Sequence, residues 1–149
     1  MLSNNEIKSI ANEVISELGS DYEEKIYQEA FLVELRLRKK EGFTYDCERV
    51  LPVTYKGHQV GFVKAEVVIR KGPEEVVLEL KVGGDDNIKE KVKNELRVYL
   101  RAINGDGLTR KGFVVMFPCT TDKMKPKAPA TAAIVGEVTI DEKRAKAAA

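Results

Sequence analysis

Glu66, Glu79 and Lys81 are the residues in this 149-residue chain whose types and spacing could do chemistry. They lie in QVGFVKAEVVIRKGPEEVVLELKV, residues 59 to 82, which reads as two strands rich in β-branched residues joined by a short turn at Lys71, Gly72, Pro73 and Glu74. If Arg70 pairs with Glu75, Glu66 falls directly opposite Glu79, with Cβ atoms roughly 4.5–5.5 Å apart. Alternation puts Glu79 and Lys81 on one face and Leu78, Leu80 and Val82 on the other. Two carboxylates and an ammonium then converge on one patch. Opposed like charges cost free energy, so Lys81 or a bound cation must compensate them. Glu79 and Lys81 alone would equally well make a solvated ion pair.

The flanking elements must position that patch. Ser3 and Glu6 form a capping-box pattern ahead of apolar residues at Ile7, Ile10, Ala11, Val14, Ile15 and Leu18, which predicts a helix over 4–18 closed by Gly19. Ser20 and Glu23 repeat the pattern before a second helix over 22–40, whose apolar face is expected at Ile26, Tyr27, Ala30, Phe31, Val33 and Leu37. Glu24 lies near the core-facing edge of that helix. From Phe43 the period changes, and Pro52 marks an edge strand or a bulge before a turn at Tyr55–His58. After the central hairpin, Asn87 is a plausible cap for a helix over 88–103 with Val92, Leu96, Tyr99 and Ile103 buried. GFVVMFP, residues 112–118, reads as a strand covered on both faces and parallel to 75–82, because a helix separates the two. The expected fold is α/β, a mixed sheet of four or five strands flanked by helices. The division expected is a domain over 1–118 and a Lys/Pro/Ala-rich extension over 119–149, with one added edge strand at 134–140.

Composition narrows the function classes. Hydrophobic residues make up 43% of the chain, which fits a folded domain. No apolar run is long enough to span a membrane, and the N-terminus lacks the basic and apolar parts of a secretory signal. Cys47 and Cys119 are far apart and without nearby ligating partners, which argues against zinc and for a cytoplasmic or nuclear protein. His58, the one histidine, sits in a turn with no nucleophile spaced to use it, so a histidine-assisted nucleophile is not expected. Net charge is +1, yet residues 1–50 carry 7 basic and 11 acidic side chains and residues 101–149 carry 9 and 5. That gradient is compatible with an anionic partner or with a solvated surface.

The order helix, strand, hairpin, helix, strand, with an acid on one hairpin strand and Glu-Leu-Lys on the next, resembles the core of the PD-(D/E)XK nuclease superfamily. The runs ELGSDYEEKIYQEAFLVELR, CERVLPVTYKGHQVGFVKAEVVI, VVLELKV, NELRVYLRA and GFVVMF look like the GxxExxY family within it, over residues 4 to 118. The resemblance implies a restriction-endonuclease-like fold and a magnesium- or manganese-dependent phosphodiesterase acting on DNA or RNA. It places the helix glutamate of the motif on Glu24, its tyrosine on Tyr27, the hairpin acid on Glu66 and the Glu-X-Lys pair on Glu79 and Lys81. Three positions depart from the pattern: its glycine is Asp21, its hairpin aspartate is Glu66, and its helix glutamine is Glu95.

Such a reaction explains the residue types. A hard divalent cation takes oxygen ligands, for which Glu66, Glu79 and the Leu80 carbonyl are the candidates. Lys81 would orient the water or stabilise charge developing on phosphate, and Glu24 would hold the water network or a second cation. Glu95, Tyr27 and Tyr99 are accessory candidates, the tyrosines as core residues whose hydroxyls reach the rim. The substitutions at 66 and 95 lead us to expect cation binding with weak or no cleavage. A nuclease-fold module that binds nucleic acid or protein without catalysis is the alternative, a purely structural or oligomerisation domain is a third, and the oligomeric state is open, a homodimer included.

Overall fold

In a computed structural model, which describes residues 2–38, 42–83, 86–102, 109–119 and 134–138, the first helix starts where its cap requires. The Ser3 hydroxyl accepts the Glu6 amide at 3.2 Å, and α1 (Asn4–Leu18) ends at Gly19, whose N–H donates to the Ile15 carbonyl. The next helix, α2 (Glu24–Arg38), does not use the second capping box. The Ser20 hydroxyl turns to the Asp21 carboxylate, and the Glu23 carbonyl starts the helix instead.

The chain continues through β1 (Thr44–Tyr55), β2 (His58–Lys71), β3 (Glu74–Val82), α3 (Asp86–Ala102), β4 (Thr109–Phe117) and β5 (Ile134–Val138). The five strands lie in the order β1-β2-β3-β4-β5, with β3 and β4 parallel and the other neighbours antiparallel. The parallel pair follows from the intervening helix, since a strand reached through a crossover must run the same way. Positive φ at Lys56 and Gly57 makes the first hairpin turn, and positive φ at Gly72 ahead of Pro73 makes the second. β1 is an edge strand, as Pro52 requires, and its register with β2 shifts at Val53/Thr54.

Each face of the sheet has its own apolar layer. α1 and α2 bury Ile7, Ile10, Tyr27, Phe31 and Leu35 against Val67, Ile69, Leu78, Leu80, Phe113 and Phe117. On the other face α3 buries Val92, Leu96, Tyr99 and Leu100 against Val68, Val77, Val114 and Met116. α3 lies so close to β4 that a Cβ at Gly112 would meet Leu100 Cδ1 at 2.9 Å. Among the described residues no helix is long and apolar enough to cross a membrane.

Three local expectations are corrected. The buried stripe of α2 is Tyr27, Gln28, Phe31, Leu32 and Leu35, whereas Ile26, Val33 and Leu37 are exposed. The helix is rotated so that Tyr27 stacks on Phe117, ring centroids 4.4 Å apart, and sends its hydroxyl to the Gly19 carbonyl at 2.7 Å. Asn87 lies inside α3, one residue past its first residue, and not at the cap position. Strict alternation also fails along β2. Val63 and Ala65 belong to the α3 layer, yet Val67 and Ile69 belong to the α1–α2 layer. The strand changes face at Glu66. Residues 139–140 of the expected last strand, Lys39–Lys40 and Ile103 lie outside the described residues.

Candidate active site

The β2–β3 ladder runs from Lys71–Glu74 to Val67–Leu78 and includes the expected Arg70–Glu75 pair. One pair further, the side chains take over from the backbone. The Glu66 amide donates to Glu79 Oε1 at 3.1 Å, and the Leu80 amide donates to Glu66 Oε2 at 2.9 Å. Each carboxyl thereby satisfies an N–H of the opposite strand where the two backbones stop pairing. Both glutamates are nearly closed to solvent, Glu66 at 8% and Glu79 at 6% exposed.

Burial sets their acidity. The Glu66 carboxyl is pushed up to about 9 by desolvation first, then by its hydrogen bond with Glu24 and the Glu79 charge, with the Leu80 amide opposing. Glu79 is pushed up to about 7, again by desolvation first, with Glu95 and Glu24 adding while the Glu66 amide and Lys81 oppose. Glu24, on the first turn of α2, therefore reaches Glu66, and Glu95 of α3 comes near Glu79 from the other layer. Lys81, half-buried two residues beyond Glu79, supplies the compensating positive charge.

The remaining accessory candidates fall elsewhere. The Tyr27 hydroxyl lies in the α1–α2 connection, donating to the Gly19 carbonyl and accepting the Tyr22 amide at 3.4 Å. Tyr99 is fully buried and faces a different cluster, in which Glu75 binds Arg49 at 3.1 Å and Arg110 at 2.8 Å. Glu75 lies four residues before Glu79 on the same strand, a rise of roughly 13 Å at about 3.3 Å per residue. Tyr99 is thus set apart from the carboxyl pair, because α3 runs back along the sheet and carries Tyr99 toward the start of β3.

Two residues beside the carboxyls had not been singled out by sequence. Lys64 Nζ lies 2.6 Å from Glu48 Oε2, and its pKa is raised first by that carboxylate, with Glu66 and Glu79 adding to it. A signal for Lys64 does exist: Lys64-Ala65-Glu66 mirrors Glu79-Leu80-Lys81 across the hairpin. Glu48 has none, since its left-handed backbone at φ 56 is unforeseeable for a glutamate within a strand.

The pattern of the PD-(D/E)XK nuclease superfamily matches residues 3–127. The chain belongs to this superfamily. Its mixed sheet with helices on both faces is the fold that membership entails. The solved structure titled "Crystal structure of SSO0001" is similar at 16% identity and a TM-score of 0.45, over 97% of this chain and 70% of that one. No curated protein matches the chain.

PD-(D/E)XK nucleases generally use divalent metals. The donor chemistry here suits a hard cation: Glu66 and Glu79 lie together with Glu24 beside them, and burial and neighbouring negative charge, which a cation would offset, raise the pKa of Glu66 and Glu79. The present arrangement is nonetheless turned inward. Among the described residues no three acidic, histidine or cysteine side chains form a ready cation-binding group, and one oxygen of each buried glutamate is engaged by a backbone amide.

Proposed function

We propose that this chain is a divalent-cation-dependent phosphodiesterase of low turnover, acting on DNA or RNA, with Glu66, Glu79 and the Leu80 carbonyl as the cation ligands. The observation that carries the reading is the interlocked Glu66–Glu79 pair, with Lys81 beside it and Glu24 reaching it from α2, in a chain of the PD-(D/E)XK superfamily. The finer placement in the GxxExxY family draws support from Asp21, which occupies the motif's glycine position at φ 74, a conformation that favours glycine.

When bound, a divalent cation polarises a phosphoryl oxygen and lowers the pKa of water. The protein's own groups do the rest. Lys81 stabilises negative charge developing on phosphate, and Glu24 orients or accepts a proton from water. Glu95 works against phosphate approach, since it adds negative charge on the α3 side. That balance favours cation binding over turnover, with manganese better tolerated than magnesium.

The test is cleavage of single- and double-stranded DNA and RNA with each metal, beside Glu79→Ala and Lys81→Ala. Weak cleavage abolished by both substitutions is expected. Robust cleavage lost in both variants refutes the low-turnover part alone, and cleavage unchanged in both refutes the site. The inward hydrogen bonds of Glu66 and Glu79 favour one second reading, a module of the same fold that binds nucleic acid without cutting it. Nucleic-acid binding with no cleavage under any metal would select it.

A further inference from the structure

We propose that Lys64 positions nucleic-acid phosphate at this site, and that Glu48 holds Lys64 in reserve until phosphate displaces it. The proposal rests on the nucleic-acid reading given above and adds to it a residue pair outside the Glu-X-Lys motif.

Charge around the carboxyl pair is unbalanced. Glu24 and Glu79 add negative charge beside Glu66, and Glu95 and Glu24 add it beside Glu79, where Lys81 on β3 opposes them. A phosphodiester approaching this group needs a further cation on the solvent side. Lys64 is placed for that: its side chain is 57% exposed, and it sits two residues before Glu66 on β2, with Glu66 and Glu79 adding to the larger effect of Glu48 on its ammonium. Its ammonium is engaged by the Glu48 carboxylate at 2.6 Å, itself 52% exposed. Solvated ion pairs of this kind are weak and exchangeable, so a phosphate oxygen can replace the carboxylate.

The backbone supplies an independent observation. Glu48 adopts φ 56 in the middle of β1, between the pairs Cys47–Val67 and Arg49–Ala65. The register is the same on both sides, so no inserted residue accounts for the distortion. Its place in β1 is the one across from Glu66, where β2 changes layer. Strained non-glycine residues persist where the surrounding structure holds them, and they cluster at functional sites. Here the strained residue is the one that binds Lys64.

The experiment measures binding of short fluorescein-labelled DNA, single-stranded and duplex, by anisotropy across a salt series, with circular dichroism to verify folding of each variant. Removing one phosphate contact lowers the slope of log affinity against log salt by about 0.7 for single strands or about 0.9 for duplex. Lys64→Ala is expected to show that loss and Lys64→Arg to restore it. Glu48→Gln, which frees Lys64, is expected to bind several-fold tighter. The double variant Glu48→Gln/Lys64→Ala should match Lys64→Ala, because Glu48 acts through Lys64. An unchanged slope in folded Lys64→Ala, or weaker or equal binding by Glu48→Gln, overturns this proposal while leaving the nucleic-acid reading intact. Failure of the unaltered protein to bind either DNA at low salt overturns both.

Discussion

The Glu66 and Glu79 carboxyls each accept a backbone amide of the opposite strand where β2 and β3 cease to pair: Glu79 Oε1 accepts the Glu66 amide, and Glu66 Oε2 accepts the Leu80 amide. The strands open by one pair and the side chains fill the opening. This lets two carboxyls be buried together with backbone donors satisfied, at the expense of their ordinary acidity.

Stability should therefore fall as pH rises. An unfolded glutamate titrates near its usual value of 4.5, whereas the folded chain keeps Glu79 protonated to about 7 and Glu66 to about 9. Between those limits the folded state binds more protons, so the stabilising proton uptake is complete below pH 4.5 and is lost across that window. Other carboxylates add their own acid-side terms. Glu66→Gln and Glu79→Gln should each flatten the decline and raise stability at pH 8 by about 1–3 kcal/mol. Urea titrations at several pH values measure this. Parallel pH profiles for variants and parent would refute it.

Divalent cations should reverse the same decline. Manganese or magnesium competes with protons for the carboxyls, so the gain in melting temperature should be larger at pH 8 than at pH 5. Glu66→Gln and Glu79→Gln should each reduce it. An equal gain at both pH values, retained in the variants, would locate the cation elsewhere.

Glu75 holds Arg49 and Arg110 from β1 and β4 on one buried carboxylate, and so ties strands that are not neighbours of each other. Glu75→Ala leaves two guanidinium groups without that partner and should cost about 3 kcal/mol in chemical denaturation. A cost under about 1 kcal/mol would show that solvent replaces the carboxylate.

Tyr27→Phe separates the structural and accessory roles of this residue. It deletes the bond to the Gly19 carbonyl but keeps the ring on Phe117, so a loss of about 1 kcal/mol is expected, with the cation response unchanged. A lost cation response at unchanged stability would return Tyr27 to the site.

Local sequence information determined the elements and much of their pairing. The Ser3 cap, the apolar period of α1, the Arg70–Glu75 register and the parallel run of β4 follow from spacing of a few residues, because caps, tight turns and crossovers are short-range constraints. Resemblance brought Glu24 into view, and the carboxyl pair was legible from the hairpin. Tertiary structure alone decided how those residues sit. It split β2 from β3 after Val67, turned α2 to bury Leu32 and Leu35 in place of Ile26 and Val33, and set Tyr99 beside Arg49, Glu75 and Arg110. It also brought Glu48 to Lys64 with a left-handed backbone. The reason is physical: helix rotation, strand splitting and charge compensation minimise the free energy of contacts between residues far apart in the chain, and no short window of sequence contains both partners.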